Sequence, residues 1–266
     1  MFNIKKTIKK YKNFDKTFIE SFIGIPSGYG GLKKPFYGTY SQFIKKYPNF
    51  KTNKKIPTVL FMHGSGKFVG GETYRQWIVE DCNFAFISPN SHAIKNRPKY
   101  KSPSSKKIYN EVHKIRQAEL KYNTKMLLDL KWTSKKNMFL IGSSEGALAV
   151  GIYKGDEYKA RVILAWSCED GYYSSDTSIG AKTTKPILAI IGSHDEYFST
   201  NSKFVDDKDE NISGHCLEAL LEYKNSKVVI LPKTKHKLLD NIYTQSEIVN
   251  FLMFWNNKDC FDNNSY

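Results

Sequence analysis

The chain has 266 residues, 40% of them hydrophobic and 14% aromatic, which gives one large domain a sizeable core and excludes a disordered chain. Its 41 Lys and Arg outnumber 26 Asp and Glu, for a formal charge of +15. The lysines are spread along the whole sequence and arginine is scarce, so sequence-specific nucleic-acid binding is not expected, while attraction to anionic substrates or surfaces stays open. No run approaches the ~18 consecutive apolar residues of a membrane span. Lys9, Lys10 and Lys12 interrupt any apolar stretch behind the basic start, which argues against a secretory signal and leads to the expectation of a cytoplasmic protein.

In chain order, residues 1–54 read as an N-terminal extension of the same domain, and 17–23 alternates in polarity like an antiparallel edge strand. The core is expected over 55–258. Strand 57–62 runs into His63-Gly64-Ser65-Gly66, and a short helix over 72–80 follows. Strand 84–88 leads to a loop over 89–106 and a long helix over 107–130 that carries Val112, Ile115, Leu120 and Leu127. Strand 138–141 enters Gly142-Ser143-Ser144-Glu145-Gly146, and a buried helix begins at once over 146–154. Strands 161–166, 186–191 and 227–231 complete the series, with helices over 216–224 and 246–255. Uninterrupted apolar runs suit strands covered on both faces. The expected fold is therefore a single α/β domain: a mostly parallel, doubly wound sheet with helices on both faces and right-handed crossovers.

The chemistry centres on Ser144. A Gly-x-Ser-x-Gly pentapeptide at a strand-to-helix junction forms a sharp turn that lifts the serine hydroxyl clear of the sheet, and the helix start after it offers amide N–H groups to an oxyanion. A serine needs a base and an acid that holds the base. His236 follows the last strand at the same sheet edge. Asp195, in Gly192-Ser193-His194-Asp195, leaves the strand before it, with Glu196 and Asp170 as rivals for the acid. The order Ser, Asp, His is the one such folds require. Two oxyanion donors are also needed: one is expected from the Glu145 amide, the other from Ser65 or Gly66. His63 comes too early for the base and reads as a loop brace.

These motifs resemble the α/β-hydrolase superfamily, and within it the dienelactone hydrolase-like branch, over roughly residues 55–256. The resemblance rests on Val59 to Gly66, Phe86 to Ser91, Ile141 to Gly146, Ile190 to Asp195, and Leu231-Pro232 through His236. It implies Ser144 as nucleophile, His236 as base and Asp195 as its acid, with Ser65, Gly66 and Glu145 amides at the oxyanion. Dienelactone hydrolases carry cysteine where this chain has Ser144, and an acidic residue where it has Asn90. The implied activity is thus a general serine esterase acting on a small carboxylic ester or lactone, with no metal or organic cofactor. A peptidase or acyltransferase on the same scaffold, and a catalytically silent binding protein with a basic surface, are the alternatives.

Cys82, Cys168, Cys216 and Cys260 match no zinc spacing and are expected as four reduced thiols, although loops near the pocket bring Cys168 and Cys216 into the same region. Arg97 and Lys99, in the loop after Asn90, could meet a substrate carboxylate, but among so many lysines they read as part of a solvated basic loop.

Overall fold

A computed structural model describes residues 11–262 apart from 67, 69, 176 and 205–211, with the side chains of 259–262 also outside the described residues. Helix α1 (Phe14–Ile19) precedes strands β1 (Phe22–Ile25) and β2 (Phe36–Thr39) and helix α2 (Tyr40–Lys46). Then come β3 (Ile56–Met62), α3 (Gly71–Gln76), β4 (Ala85–Ser88), α4 (Lys106–Asp129), β5 (Thr133–Ser143) and α5 (Glu145–Ile152). Strands β6 (Ala160–Leu164), β7 (Ile187–Gly192) and β8 (Ser226–Leu231) and helix α6 (Tyr243–Asp262) follow. The eight strands form one sheet in the order β2-β1-β4-β3-β5-β6-β7-β8. Its six strands from β4 to β8 are parallel, and β1 joins them antiparallel to β4.

Alternation along the central strands splits the interior in two. Leu60, Met62, Met138 and Leu140 enter one core, with Leu120 and Leu127 of α4 and Leu148 of α5. Val59, Phe61, Phe139 and Ile141 enter the other, with Ile248 and Leu252 of α6. Period-two side chains on strands buried on both sides produce this arrangement. The sheet is thus a mostly parallel α/β layer with helices on both faces, in a single domain.

Register sets the functional edge. Met62 pairs with Gly142, Ser143 with Leu164, and Gly192 with Leu231. The residues that follow β3, β5, β7 and β8 therefore emerge together at the carboxyl ends of the strands, where open α/β sheets bind ligands.

Two expected elements differ. Residues 17–23 divide between α1 and β1: Phe14, Thr17 and Phe18 share a buried helical face, and the strand starts only at Phe22. That strand pairs on both sides, so β2 is the edge. The helix expected over 216–224 shrinks to one 3-10 turn at Glu218–Leu220. Leu220 is buried there while Leu217 and Leu221 are exposed, which leaves no apolar stripe to dock a longer helix.

The expectation of four reduced thiols fails at one pair. Cys168 and Cys216 form a disulfide that ties the segment after β6 to the one before the 3-10 turn. Glu169 clasps the same two segments, its carboxylate accepting from the Ser213 amide at 2.7 Å, the Ser213 hydroxyl at 2.6 Å and the Gly214 amide at 3.0 Å. Such a bond belongs to an oxidising setting. Cys82 is free and buried, and the Cys260 side chain lies outside the described residues.

Candidate active site

Ser144 sits between β5 and α5 with φ 56° and ψ −120°, a conformation costing of order 1–3 kcal/mol. Two glycines make the turn fit. A Cβ on Gly142 would lie 2.2 Å from the Gly146 carbonyl oxygen, and one on Gly146 would lie 1.9 Å from that of Met62. The Ser144 amide donates to the Leu164 carbonyl at 2.9 Å, which fixes the elbow against β6.

His236 Nε2 lies 2.9 Å from Ser144 Oγ, and its Nδ1 lies 2.7 Å from Asp195 Oδ2. Asp195 is fully buried. Its other oxygen, Oδ1, accepts from the amides of Tyr197 at 2.9 Å and Phe198 at 3.0 Å, so the carboxylate is held with Oδ2 toward the imidazole. A carboxylate only accepts, so Nδ1 carries the proton and donates it to Asp195, leaving the Nε2 lone pair for the serine hydroxyl. Of the rivals for the acid, Glu196 accepts from the His236 amide at 3.0 Å and so braces the backbone instead of the ring. Asp170 makes no hydrogen bond to the imidazole. Gly192 lets β7 approach this loop, since a Cβ there would meet the Thr234 carbonyl oxygen at 2.1 Å.

Ser144 and His236 open into a cavity of about 320 Å³ that Ser65, Gly66 and Glu145 also line. Among the described residues, no acceptor pairs with the backbone N–H of Ser65, Gly66 or Glu145. No cluster of three or more His, Cys, Asp or Glu side chains suited to a metal ion occurs among the described residues.

The side chain of Glu145 anchors the helix start from behind. Its carboxylate accepts from Arg97 Nη2 at 2.7 Å and from the Tyr100 hydroxyl at 2.5 Å, and Arg116 Nε lies 3.3 Å away. Burial opposes ionisation, but the two guanidinium groups outweigh it and hold this carboxyl at about 2. Arg116 also pairs with Glu119 at 2.8 Å and donates to the His63 carbonyl at 2.6 Å. For Glu119 burial prevails over Arg116, and its pKa is raised. Arg97 is therefore a buried ion-pair partner, not part of a solvated loop; Lys99 is exposed. The charged residues Arg97, Arg116 and Glu119 and the Glu145 side chain were invisible as a site in the sequence. The one signal was a charged pair at i and i+3 among the apolar positions of the long helix.

His63 proves a brace. It accepts from the Ser91 amide at Nε2, 3.2 Å, and therefore donates from Nδ1 to the Gly64 carbonyl, 2.7 Å. Burial and the neighbouring Arg116 press its pKa from 6.5 to about 3. Burial lowers that of His113, on α4, to about 4 despite the opposing Glu145 charge. Both rings are neutral in the fold, whereas the unfolded chain protonates them near 6.5. Their contribution to stability is complete above pH 6.5 and is lost as pH falls, through about 4 for His113 and about 3 for His63. Each group adds a slope of up to ~1.4 kcal/mol per pH unit within its window. Urea midpoints measured from pH 7.5 to 4.5 should fall accordingly, and His113→Gln should remove one proton from the slope. A flat profile refutes the assignment.

No protein-family model and no curated protein matches the sequence. Solved structures do match. A protein called a dienelactone hydrolase, from Klebsiella pneumoniae, aligns with TM-score 0.55 and 11% identity over 77% of this chain and 89% of its own. A dienelactone hydrolase-like promiscuous phosphotriesterase from metagenomic libraries gives 0.54 and 12% over 77% and 88%. A hyperthermophilic esterase from the archaeon Pyrobaculum calidifontis gives 0.52 and 12% over 94% of this chain and 88% of that one. The chain has the α/β-hydrolase fold.

Proposed function

We propose that the protein is a serine hydrolase of small carboxylic esters or lactones, with 55–258 as its catalytic core and 1–54 an extension of the same domain. The observation that carries this reading is the continuous chain from Ser144 Oγ through His236 to Asp195, 2.9 and 2.7 Å long, at the floor of a cavity. The fold shared with proteins named as esterases supports it.

In this reading Ser144 Oγ attacks the ester carbonyl as His236 Nε2 takes its proton. Asp195 stabilises the imidazolium through Nδ1–H, and the oxyanion accepts from the Glu145 amide and that of Ser65 or Gly66. The imidazolium then protonates the leaving alcohol, and an acyl-enzyme on Ser144 remains. Water gives a proton to His236 and attacks the acyl carbon; collapse of that intermediate frees the acid and restores the serine.

A fluorophosphonate probe tests the first step without knowledge of the substrate. Wild-type protein should take up one adduct, mapped to Ser144 by mass spectrometry, and Ser144→Ala should take up none. A folded wild-type protein that stays unlabelled sinks the proposal and favours a binding protein on the same scaffold.

A further inference from the structure

The cavity above Ser144 is walled by rings that touch one another. Tyr100 meets Tyr109 at 5.3 Å between centroids, Tyr109 meets Tyr173 at 5.3 Å, Tyr173 meets Tyr197 at 5.6 Å, and Tyr197 meets His236 at 4.7 Å, all edge to face. The rings come from the segment after β4, the start of α4 and the segments after β6, β7 and β8, so five parts of the chain converge on one aromatic wall. At about 320 Å³ the cavity lies at the small end of ligand cavities. It suits one ring on a short spacer better than a long acyl chain.

Two buried polar groups in this wall make no hydrogen bond among the described residues: the Tyr173 hydroxyl, and the imidazole of His113, the one that offers both a donor and an acceptor to a ligand through separate atoms. His113 is 6% exposed and lines the cavity. Its ring lies against Tyr109 at 6.4 Å, nearly parallel. The groups facing it are Tyr109, Glu145 and Arg116, and both charged ones are spent on the ion-pair network. A neutral imidazole offers one donor and one acceptor. An alkyl chain packed against it would strip its water and return nothing, which is costly for a group as buried as this one. A hydroxyl on an aromatic ring satisfies it, while the ring itself meets the tyrosine faces.

We infer that His113 is the recognition group of an aryl-ester pocket: the substrate is an ester joined through a short spacer to a single aromatic ring that bears a hydroxyl. This rests on the serine-hydrolase reading for its chemistry but not for its binding.

The test uses the full chain and the methyl esters of 4-hydroxyphenylacetic, 3-hydroxyphenylacetic, phenylacetic and cyclohexylacetic acids. The better hydroxylated ester should exceed phenylacetate about tenfold in kcat/KM, as one added hydrogen bond allows, and phenylacetate should exceed the cyclohexyl ester. His113→Leu should bring the hydroxyl-to-phenyl ratio to near one, and His113→Gln, which keeps a donor and an acceptor, should restore part of it. A ratio unchanged in His113→Leu, with both rates lowered alike, assigns the histidine a purely structural role and overturns the inference. So does a cyclohexyl ester turned over as well as the aryl ones. Calorimetric binding of 4-hydroxyphenylacetamide against cyclohexylacetamide asks the same question without catalysis. If Ser144 takes no fluorophosphonate and no ester turns over, the hydrolase reading fails, and the calorimetry alone decides for or against the pocket.

Discussion

Asp195→Asn should lower kcat about 10⁴-fold for any ester the protein hydrolyses, close to 5.5 kcal/mol of transition-state stabilisation, while leaving the fold intact. The loss runs through the tautomer. Oδ1 of Asp195 accepts from two backbone amides, those of Tyr197 and Phe198. In the variant the amide oxygen keeps those two bonds, so the NH₂ group faces His236 Nδ1. A donor there forces the imidazole proton onto Nε2, which then points at Ser144 Oγ and cannot take its proton. The imidazolium also loses the charge that stabilises it. Fluorophosphonate labelling of Ser144 should slow in parallel, because it needs the same base, and the urea midpoint should hardly move. If kcat falls less than tenfold, the Ser144–His236–Asp195 chain is not the working relay, and Glu196, already bonded to the His236 backbone, becomes the acid to test.

How much of this site could be read from sequence depended on whether the signal was local. Ser144 was legible because Gly142 and Gly146 flank it in one pentapeptide, and the structure gives both glycines a steric reason. The six parallel strands were legible because each is a short apolar run, and Asp195 and His236 fall just beyond two of them. What could not be read depended on distant partners. Arg97 and Arg116 look like two more members of a basic chain, yet they meet at a carboxylate 48 and 29 positions downstream. Only four arginines occur among the 41 basic residues, and three of them, Arg97, Arg116 and Arg161, are buried. In the sequence, their scarcity speaks only against sequence-specific nucleic-acid binding. Its structural meaning is that the planar, always charged guanidinium is kept for buried pairs and carbonyl clusters, and lysine is left to cover the surface. The disulfide was equally distant: Cys168 and Cys216 stand 48 positions apart, and although their loops fall near the same pocket, no spacing rule announced the bond. The division of residues 17–23 between helix and strand shows the same limit, since a seven-residue alternation suits either until its packing partners are known.

The ion cluster behind the nucleophile yields the second large effect. Glu145→Gln preserves shape and removes one charge, and its cost should come mainly from what it leaves behind. Arg97, its side chain 5% exposed, then faces no anion within its bonds, whereas Arg116 keeps Glu119. Breaking a buried pair from one side costs about 3–5 kcal/mol, and the urea midpoint should drop accordingly. Activity should fall as well, measured far below the melting transition. The Glu145 amide is a proposed oxyanion donor, its position depends on the same side chain, and a misplaced donor costs on the order of 10²-fold in kcat. Structural weakening and loss of positioning separate in the double variant. Arg97→Met with Glu145→Gln removes the uncompensated charge, so stability should recover by a kcal/mol or more in the cycle, while kcat stays low because nothing again pulls the helix start into place. Full recovery of kcat along with stability would mean that the cluster holds the fold and has no hand in the chemistry. A Glu145→Gln protein as active and as stable as the wild type would mean that the pair contributes neither, and the buried charges around α5 would need another explanation.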